Sequence, residues 1–428
     1  MCALSESTKI SSVLLIFSWR RSAFLNYYGE NILMKVKSKL SKIPVCMIAY
    51  ANYFTDARIK NYVQTLLEQG CEVDVFALGQ DEPCPSGLRV FCLAKKVESQ
   101  RALPYVISQI WFFMLAFIYV GKSYFERRYK LVHVHNMPDF IVFSAFIPKL
   151  FGARVILDVH DTMPEAYATK IDLPLTHPLI GLIRFEERIS AAFVDRVITT
   201  NDLHLEALVE HGIPSGKISV ILNTGNEAVF CPRPHTHLPV DGLTLAYHGT
   251  IAARLGLDLI LDAIRQALPS CPNLRFILIG DGEFMPVVRK LIKDYKLDHV
   301  VQHVGWVSVE DLPFHLSTAD IGVVGIRGQY EIRRNWGLPV KMLEYAAMEI
   351  PVIAPRLRVI RHYFDEDSAF YYKTDDVEDF SRRIIEIYND PDKINEVKKN
   401  LQIFNKKYNW TAMERTYLNI MTDLSVFE

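Results

Sequence analysis

From Pro44 onward the sequence alternates short apolar runs with stretches of helical periodicity, breaks off at a segment rich in proline and histidine, and then starts the same alternation again. Short apolar runs bounded by turn residues read as strands covered on both faces, and their alternation with helices requires a parallel sheet packed between helical layers. In the first half the runs are 45–49, 73–77, 131–134, 155–159, 196–199 and 218–221, with helical patterns at 59–68 and 140–150. Pro232, Pro234 and Pro239, with His235 and His237, mark a linker. Beyond it, strands at 243–247, 275–279, 300–304, 321–325 and 352–353 alternate with helices at 256–266, 286–295, 309–317 and 340–348, and further helical patterns follow at 377–388 and 410–425. The expected class is α/β: two Rossmann-like, doubly wound domains facing a central cleft, where ligands bind at the carboxyl ends of the strands. The expected divisions are an extension over 1–34, a first domain over 35–225, a linker over 226–240, a second domain over 241–400 and a helix within 401–428 packing back toward the first domain.

Composition removes several alternatives. A chain of 428 residues, half of them hydrophobic, can bury two large cores, and a net charge of −1 offers no global field for nucleic acid, so no nucleic-acid partner is expected. Seven cysteines are scattered without a Cys-x-x-Cys pair, which argues against a disulfide framework or zinc site and for a reducing, cytoplasmic setting. The apolar run from Val13 to Phe17 precedes Arg20 and Arg21 with no small-residue cleavage pattern behind it, so a signal peptide is not expected, and Met34 is an alternative start. The run from Trp111 to Val120 is half the roughly 20 residues needed to span a bilayer. It reads as a buried helix of the first domain, with an interfacial helix backed by Lys122, Arg127, Arg128 and Lys130 as the alternative.

The segment Leu338-Pro339-Val340-Lys341-Met342-Leu343-Glu344-Tyr345 carries the strongest chemical signal. Pro339 suits a helix start, and Lys341 and Glu344 are neighbours on one helical face. A helix N-terminus presents free amides and positive dipole to an anion, and a carboxylate one turn in can accept hydrogen bonds from both hydroxyls of a ribose. Two glycine turns accompany it: His248-Gly249-Thr250, with Arg254 and Gly256 just beyond, and Gly280-Asp281-Gly282. Glycine lets backbone amides approach a phosphate, and Arg254 supplies a fixed positive charge. In the first half, His160-Asp161-Thr162-Met163-Pro164-Glu165 places an imidazole and two carboxyl groups at a strand's carboxyl end, a setting for hydrogen bonding to a sugar or for proton transfer. His133 and His135 share one face of the preceding strand, with His133 read as packed. A metal set of His135, His160 and Asp161 lacks diagnostic spacing, and no metal is expected. Gly-x-Ser-x-Gly, P-loop, His-Glu-x-x-His and Gly-x-Gly-x-x-Gly motifs are all missing, which removes the usual support for serine hydrolases, P-loop kinases, zincins and dehydrogenases.

Together with Asp56-Ala57-Arg58-Ile59-Lys60-Asn61, Leu157-Asp158-Val159-His160 and Ile221-Leu222-Asn223, these motifs resemble the family-4 glycosyltransferases of the GT-B fold, particularly bacterial enzymes of surface-polysaccharide and lipopolysaccharide assembly. The resemblance covers nearly all of residues 43–420. It implies transfer of a sugar from a nucleotide-sugar donor to an acceptor hydroxyl, with retention, no metal on the diphosphate and no cofactor besides the donor substrate. By the same resemblance Glu344 holds the ribose, and Gly249, Thr250, Arg254 and Lys341 lie about the diphosphate. The loop glycines Gly280 and Gly282 and the amides of Gly337 and Leu338 complete the donor side, and His160, Asp161 and Arg254 form the catalytic set. The acceptor is expected to be a glycan or lipid-linked glycan at the inner face of the cytoplasmic membrane, with peripheral contact through the Trp111 to Val120 region. The family commonly carries two glutamates eight positions apart; the earlier position here is Trp336, and Glu349 stands where the family often has glycine. Trp336 keeps open a non-catalytic partner subunit of the same fold, and a nucleotide-sugar epimerase is the enzymatic alternative.

Overall fold

The computed structural model describes residues 42–80, 82–95, 102–233, 242–328 and 337–427; the 1–34 extension, most of the proline-rich linker, and Trp336 lie outside them. The first sheet contains β1 (Pro44–Asn52), β2 (Glu72–Leu78), β3 (Leu88–Ala94), β4 (Leu131–His135), β5 (Arg154–Val159), β6 (Arg196–Thr199) and β7 (Ile218–Val220), in the order β3-β2-β1-β4-β5-β6-β7. The second contains β8 (Leu243–His248), β9 (Leu274–Ile279), β10 (Val301–Gly305), β11 (Ile321–Val323), β12 (Val352–Pro355) and β13 (Phe370–Tyr372), in the order β10-β9-β8-β11-β12-β13. Neighbouring strands are parallel throughout. In each sheet the winding reverses beside the first strand, at β1/β4 and at β8/β11. Such switch points open a crevice at the carboxyl ends of the strands.

Two strands escape the sequence pattern, and both are edges. β3 carries a five-residue apolar run at 90–94, but that run is only half-buried, and Arg89 before it pairs its guanidinium with Asp74 of β2 at 2.8 and 2.5 Å. β13 has only three residues. The expected helix over 140–150 is instead a tight 3-10 stretch, Asp139–Ala145, running into the short helix Phe146–Leu150. Other helices start where side chains cap them: Asp56 Oδ1 accepts from the amide of Ile59 at 3.0 Å, and Asn201, Asp376 and Asn409 act in the same way.

The expected boundary between 400 and 401 falls inside the helix Asp392–Lys407. That helix belongs with the second sheet's layer: Phe404 stacks on Phe364, and Asn405 donates to the carbonyl of Ala346 at 2.7 Å. The following helix, Trp410–Asp423, crosses to the first domain, where the Tyr417 hydroxyl meets His133 Nδ1 at 3.0 Å and its ring packs on Tyr62. Each sheet is sandwiched in apolar side chains, and each fully buried one contributes about 1.5–3 kcal/mol.

Glu349 adopts φ +57° directly after the helix Val340–Ala347, and the amides of Glu349 and Ile350 donate to Ala346 and Tyr345. This is the left-handed helix stop that favours glycine, which accounts for glycine at the corresponding position in the resembled family. The Glu349 carboxylate accepts an exposed hydrogen bond from Gln402 at 2.9 Å. Glu349→Gly is expected to stabilise the protein by about 0.5–1 kcal/mol, read as a higher midpoint in urea unfolding.

Candidate functional site

The β8 and β9 loops pack backbone to backbone. A Cβ on Gly280 would lie 2.0 Å from the Gly249 carbonyl oxygen, one on Gly282 would lie 2.3 Å from that of Ile251, and one on Gly256 would lie 1.5 Å from that of Gly325. No side chain fits at any of the three, so the glycines bring these loops and the end of β11 into one surface. The Tyr247 hydroxyl donates to the Thr250 carbonyl at 2.7 Å and fixes the loop between them. Gly249, Thr250 and Arg254 are exposed on that surface.

Lys341 and Glu344 reach the surface from the helix Val340–Ala347, which starts where expected, with Pro339 as its N-cap and not its first helical residue. Tyr345 anchors the helix by donating to the Ala246 carbonyl of β8 at 2.8 Å, against Gly322, which leaves room for its ring. The two charged side chains diverge. Lys341 Nζ sits 3.6 Å from the centre of the Tyr247 ring and faces Gly249, whereas Glu344 turns toward His248, 3.6 Å from its Nε2. Burial pushes Lys341 down to about 7, with Arg254 adding to the effect and Glu344 opposing it; burial likewise raises Glu344 to about 7 against Lys341. His248 is buried and held well below its usual range by burial and by Lys341, so it is neutral. Arg254, the amine of Lys341, a glycine turn and a helix N-terminus therefore lie about one region of the surface, with the Glu344 carboxyl one turn deeper.

On the first domain, β5 ends in Asp158 and Val159 and delivers His160 to the surface, its side chain one-quarter exposed. Asp158 is fully buried, and Arg58 clamps both its oxygens at 2.8 Å while donating a third bond to the Ile221 carbonyl at 2.9 Å. Burial opposes the Asp158 charge, but Arg58 and then His160 outweigh it and hold the carboxyl well below the usual range. His160 Nε2 lies 3.3 Å from Asp158 Oδ2 and 3.2 Å from His135 Nδ1, and its backbone amide donates to Asn136 at 2.7 Å. Burial holds His133 and His135 neutral, one stacked on the other. The nitrogens of His133 and His135 and a carboxylate oxygen of Asp158 lie within 4.8 Å of one another. That carboxylate is already bound by a fixed guanidinium, which is the chemistry of a buried ion pair flanked by neutral imidazoles.

The structure thus brings Gly249, Thr250, Arg254, Lys341 and Glu344 together, with Gly280 and Gly282 beneath as packing residues and Gly337 and Leu338 leading into the helix. His160 and Asp161 stand at the carboxyl end of the other sheet. Glu165 departs from expectation: it is buried and pairs with His211 at 3.2 Å, away from the strand-end surface, and His211 is raised to about 9 because Glu165 and Glu187 outweigh its burial. A cleft of about 800 Å³ runs between the domains along the helix Ala57–Glu68, residues 223–230 and the start of the helix Trp410–Asp423. It reaches the second domain's helix at Val340 and Glu344, while Gly249, Arg254 and Lys341 do not line it. Arg58 and Asp158 were not singled out for a role from sequence; the available signal was a carboxylate inside an otherwise apolar strand, which must find a partner. Removing the guanidinium leaves that charge buried and unpaired. Arg58→Met is expected to cost about 3–5 kcal/mol in denaturant unfolding, with Asp158→Asn in the same background recovering part of the loss.

Two family models match the chain in succession: residues 55–224 match the glycosyl transferase 4-like domain, and residues 242–390 match glycosyl transferases group 1. WcaL of Escherichia coli K12, a glycosyltransferase assigned to colanic acid biosynthesis, is 28% identical over 164 residues, covering 37% of this chain and 39% of WcaL. The chain thus spans about two-fifths of the length of the first curated relatives it matches. Among solved structures, sucrose-phosphate synthase of Thermosynechococcus elongatus superposes with a TM-score of 0.73 at 17% identity, over 90% of this chain and all of the other. Anabaena HepE in complex with UDP-glucose does so with a TM-score of 0.66 at 13% identity, over 89% of this chain and all of HepE. The two matched domains, in order and on two switch-point sheets, establish that the chain belongs to the family-4-type glycosyltransferases of the GT-B fold.

Proposed function

We propose that the protein transfers a sugar from a nucleoside-diphosphate donor to a hydroxyl of a glycan or lipid-linked glycan, with retention, in cell-surface glycan assembly on the cytoplasmic side of the membrane. The observation that carries this reading is the convergence of Lys341, Arg254 and the Gly249 turn above Glu344. Its spacing suits a diphosphate with a ribose one helical turn away. The binding of UDP-glucose by HepE and the assignment of WcaL to colanic acid synthesis lend support. In this reading Glu344 accepts from the ribose hydroxyls, and Arg254, Lys341 and the amides of Gly249, Thr250, Gly337 and Leu338 meet the phosphates. The bond from the anomeric carbon to the diphosphate oxygen breaks, the acceptor oxygen bonds to that carbon, and the acceptor proton leaves with the diphosphate. Stabilising the charge that develops on the departing diphosphate is the largest catalytic contribution. His160, held by Asp158 and His135, meets the transferred sugar with Asp161 beside it.

The first test is thermal melting across nucleoside diphosphates and their sugars, since a ligand of the folded state raises the midpoint. Glu344→Ala is expected to weaken donor binding about 10–100-fold through loss of charge-assisted hydrogen bonds. His160→Ala is expected to lower kcat by about 100-fold or more with a small change in KM, and small, equal effects of the two would overturn the assignment.

The site also sets a pH dependence. As pH rises through about 7, Lys341 loses the proton that attracts phosphate; as pH falls through about 7, Glu344 gains one and becomes a poorer acceptor. Donor affinity measured calorimetrically should therefore peak near neutrality. Lys341→Arg, with its permanent charge, should flatten the alkaline limb and leave the acid limb in place.

A further inference from the structure

The helix Ala102–Arg127 is apolar on two opposite faces, and the described residues cover only one. Gln109, Phe112, Ala116, Val120 and Tyr124 form the inner stripe, at most 5% exposed, against the first sheet. The outer stripe recurs at helical spacing through Leu103, Ile107, Trp111, Met114, Ile118 and Phe125, each 45–70% exposed. It continues onto the neighbouring short helix, where Phe146, Leu150 and Phe151 are 50–69% exposed and the Phe151 ring contacts that of Phe125. A helix apolar all round requires apolar surroundings all round.

We propose that this face lies flat in the surface of an anionic phospholipid membrane. The stretch Leu103–Arg127 is long and apolar enough to span a bilayer, yet its place in the fold opposes spanning. Arg127 pairs with Glu72 at 2.6 Å, the Tyr167 hydroxyl meets Gln109 at 3.2 Å, and Phe112 and Ala116 sit in the core, all of which an upright helix would give up. Charge selects the partner. Lys122, Arg128 and Lys130 are exposed at the rim, and among the described residues none has a carboxylate partner; Glu126 is the acidic group between them. Basic side chains bordering an apolar helical stripe that carries Trp111 match headgroup phosphates over acyl chains. Pairing with a second copy would instead bury those cations against apolar surface. The cleft end of the helix touches β1 through the Tyr50 hydroxyl and Ser108, 2.6 Å apart, so the membrane would border the rim where a lipid-linked acceptor arrives.

The inference stands apart from the donor chemistry, and its test reads vesicle binding rather than turnover. The full chain should sediment with phosphatidylcholine vesicles containing phosphatidylglycerol, weakly with phosphatidylcholine alone, and less as salt rises. Trp111→Glu combined with Met114→Glu should lower that binding by at least about tenfold with an unchanged melting midpoint. Lys122→Glu with Lys130→Glu should remove the salt dependence. The inference is overturned if the wild-type chain binds no vesicle, if both double variants bind as wild type, or if the glutamates on the stripe instead dissolve a dimer seen by sedimentation velocity.

Discussion

The buried pair of Arg58 and Asp158 is the interaction on which the first domain's working face depends. One guanidinium ties together the first turn of the helix Ala57–Glu68, the end of β5 and the chain leaving β7, because it binds both oxygens of Asp158 and the carbonyl of Ile221. Two charges hidden from water gain from their attraction only when every remaining hydrogen-bonding position is also satisfied, and Asp158 meets that condition through His135 and His160 as well. The consequence is orientation. His160 emerges with its ring held from behind by a carboxylate and a neutral imidazole, and with its backbone amide donating to the side-chain oxygen of Asn136.

The second domain reaches the same end chiefly through its main chain. Its loops are assembled by the near-contact of glycine backbones, and the helix carrying Lys341 and Glu344 is seated by Tyr345 against a strand glycine and by Asn405 on the carbonyl of Ala346. Such packing leaves little slack, so the spacing between cations and carboxylate is set by main-chain geometry. Both ionisable groups are then held close to neutrality in pKa by their burial. The binding of an anion and of hydroxyl groups can thus shift protons within the site.

How much of this could be read from the residues alone follows from distance along the chain. The Lys341/Glu344 helix, its turns and the alternation of strand and helix were readable because each depends on neighbours within one turn or one loop. The Arg58–Asp158 pair was not, since its members are one hundred residues apart and only the sheet order brings them together. β3 and β13 escape that reading although both hold apolar residues, since β3 is a half-covered edge and β13 has only three residues, and periodicity alone does not decide between the buried and the interfacial reading of the run from Trp111 to Val120. Glu349 is the reverse case. Its departure from glycine was visible, and its meaning came only with the backbone angle.

The crossing of the helix Trp410–Asp423 back to the first domain has a consequence for how the protein is made. Tyr417 rests on His133, Met413 sulfur accepts from the amide of Leu222, and the carbonyl of Leu424 accepts from Arg154, so the first sheet is completed by residues translated after the whole second sheet. A nascent chain that has already produced every strand of its first domain still lacks part of that domain's cover. Tyr62 and His133 then wait, exposed, until the closing helix leaves the ribosome.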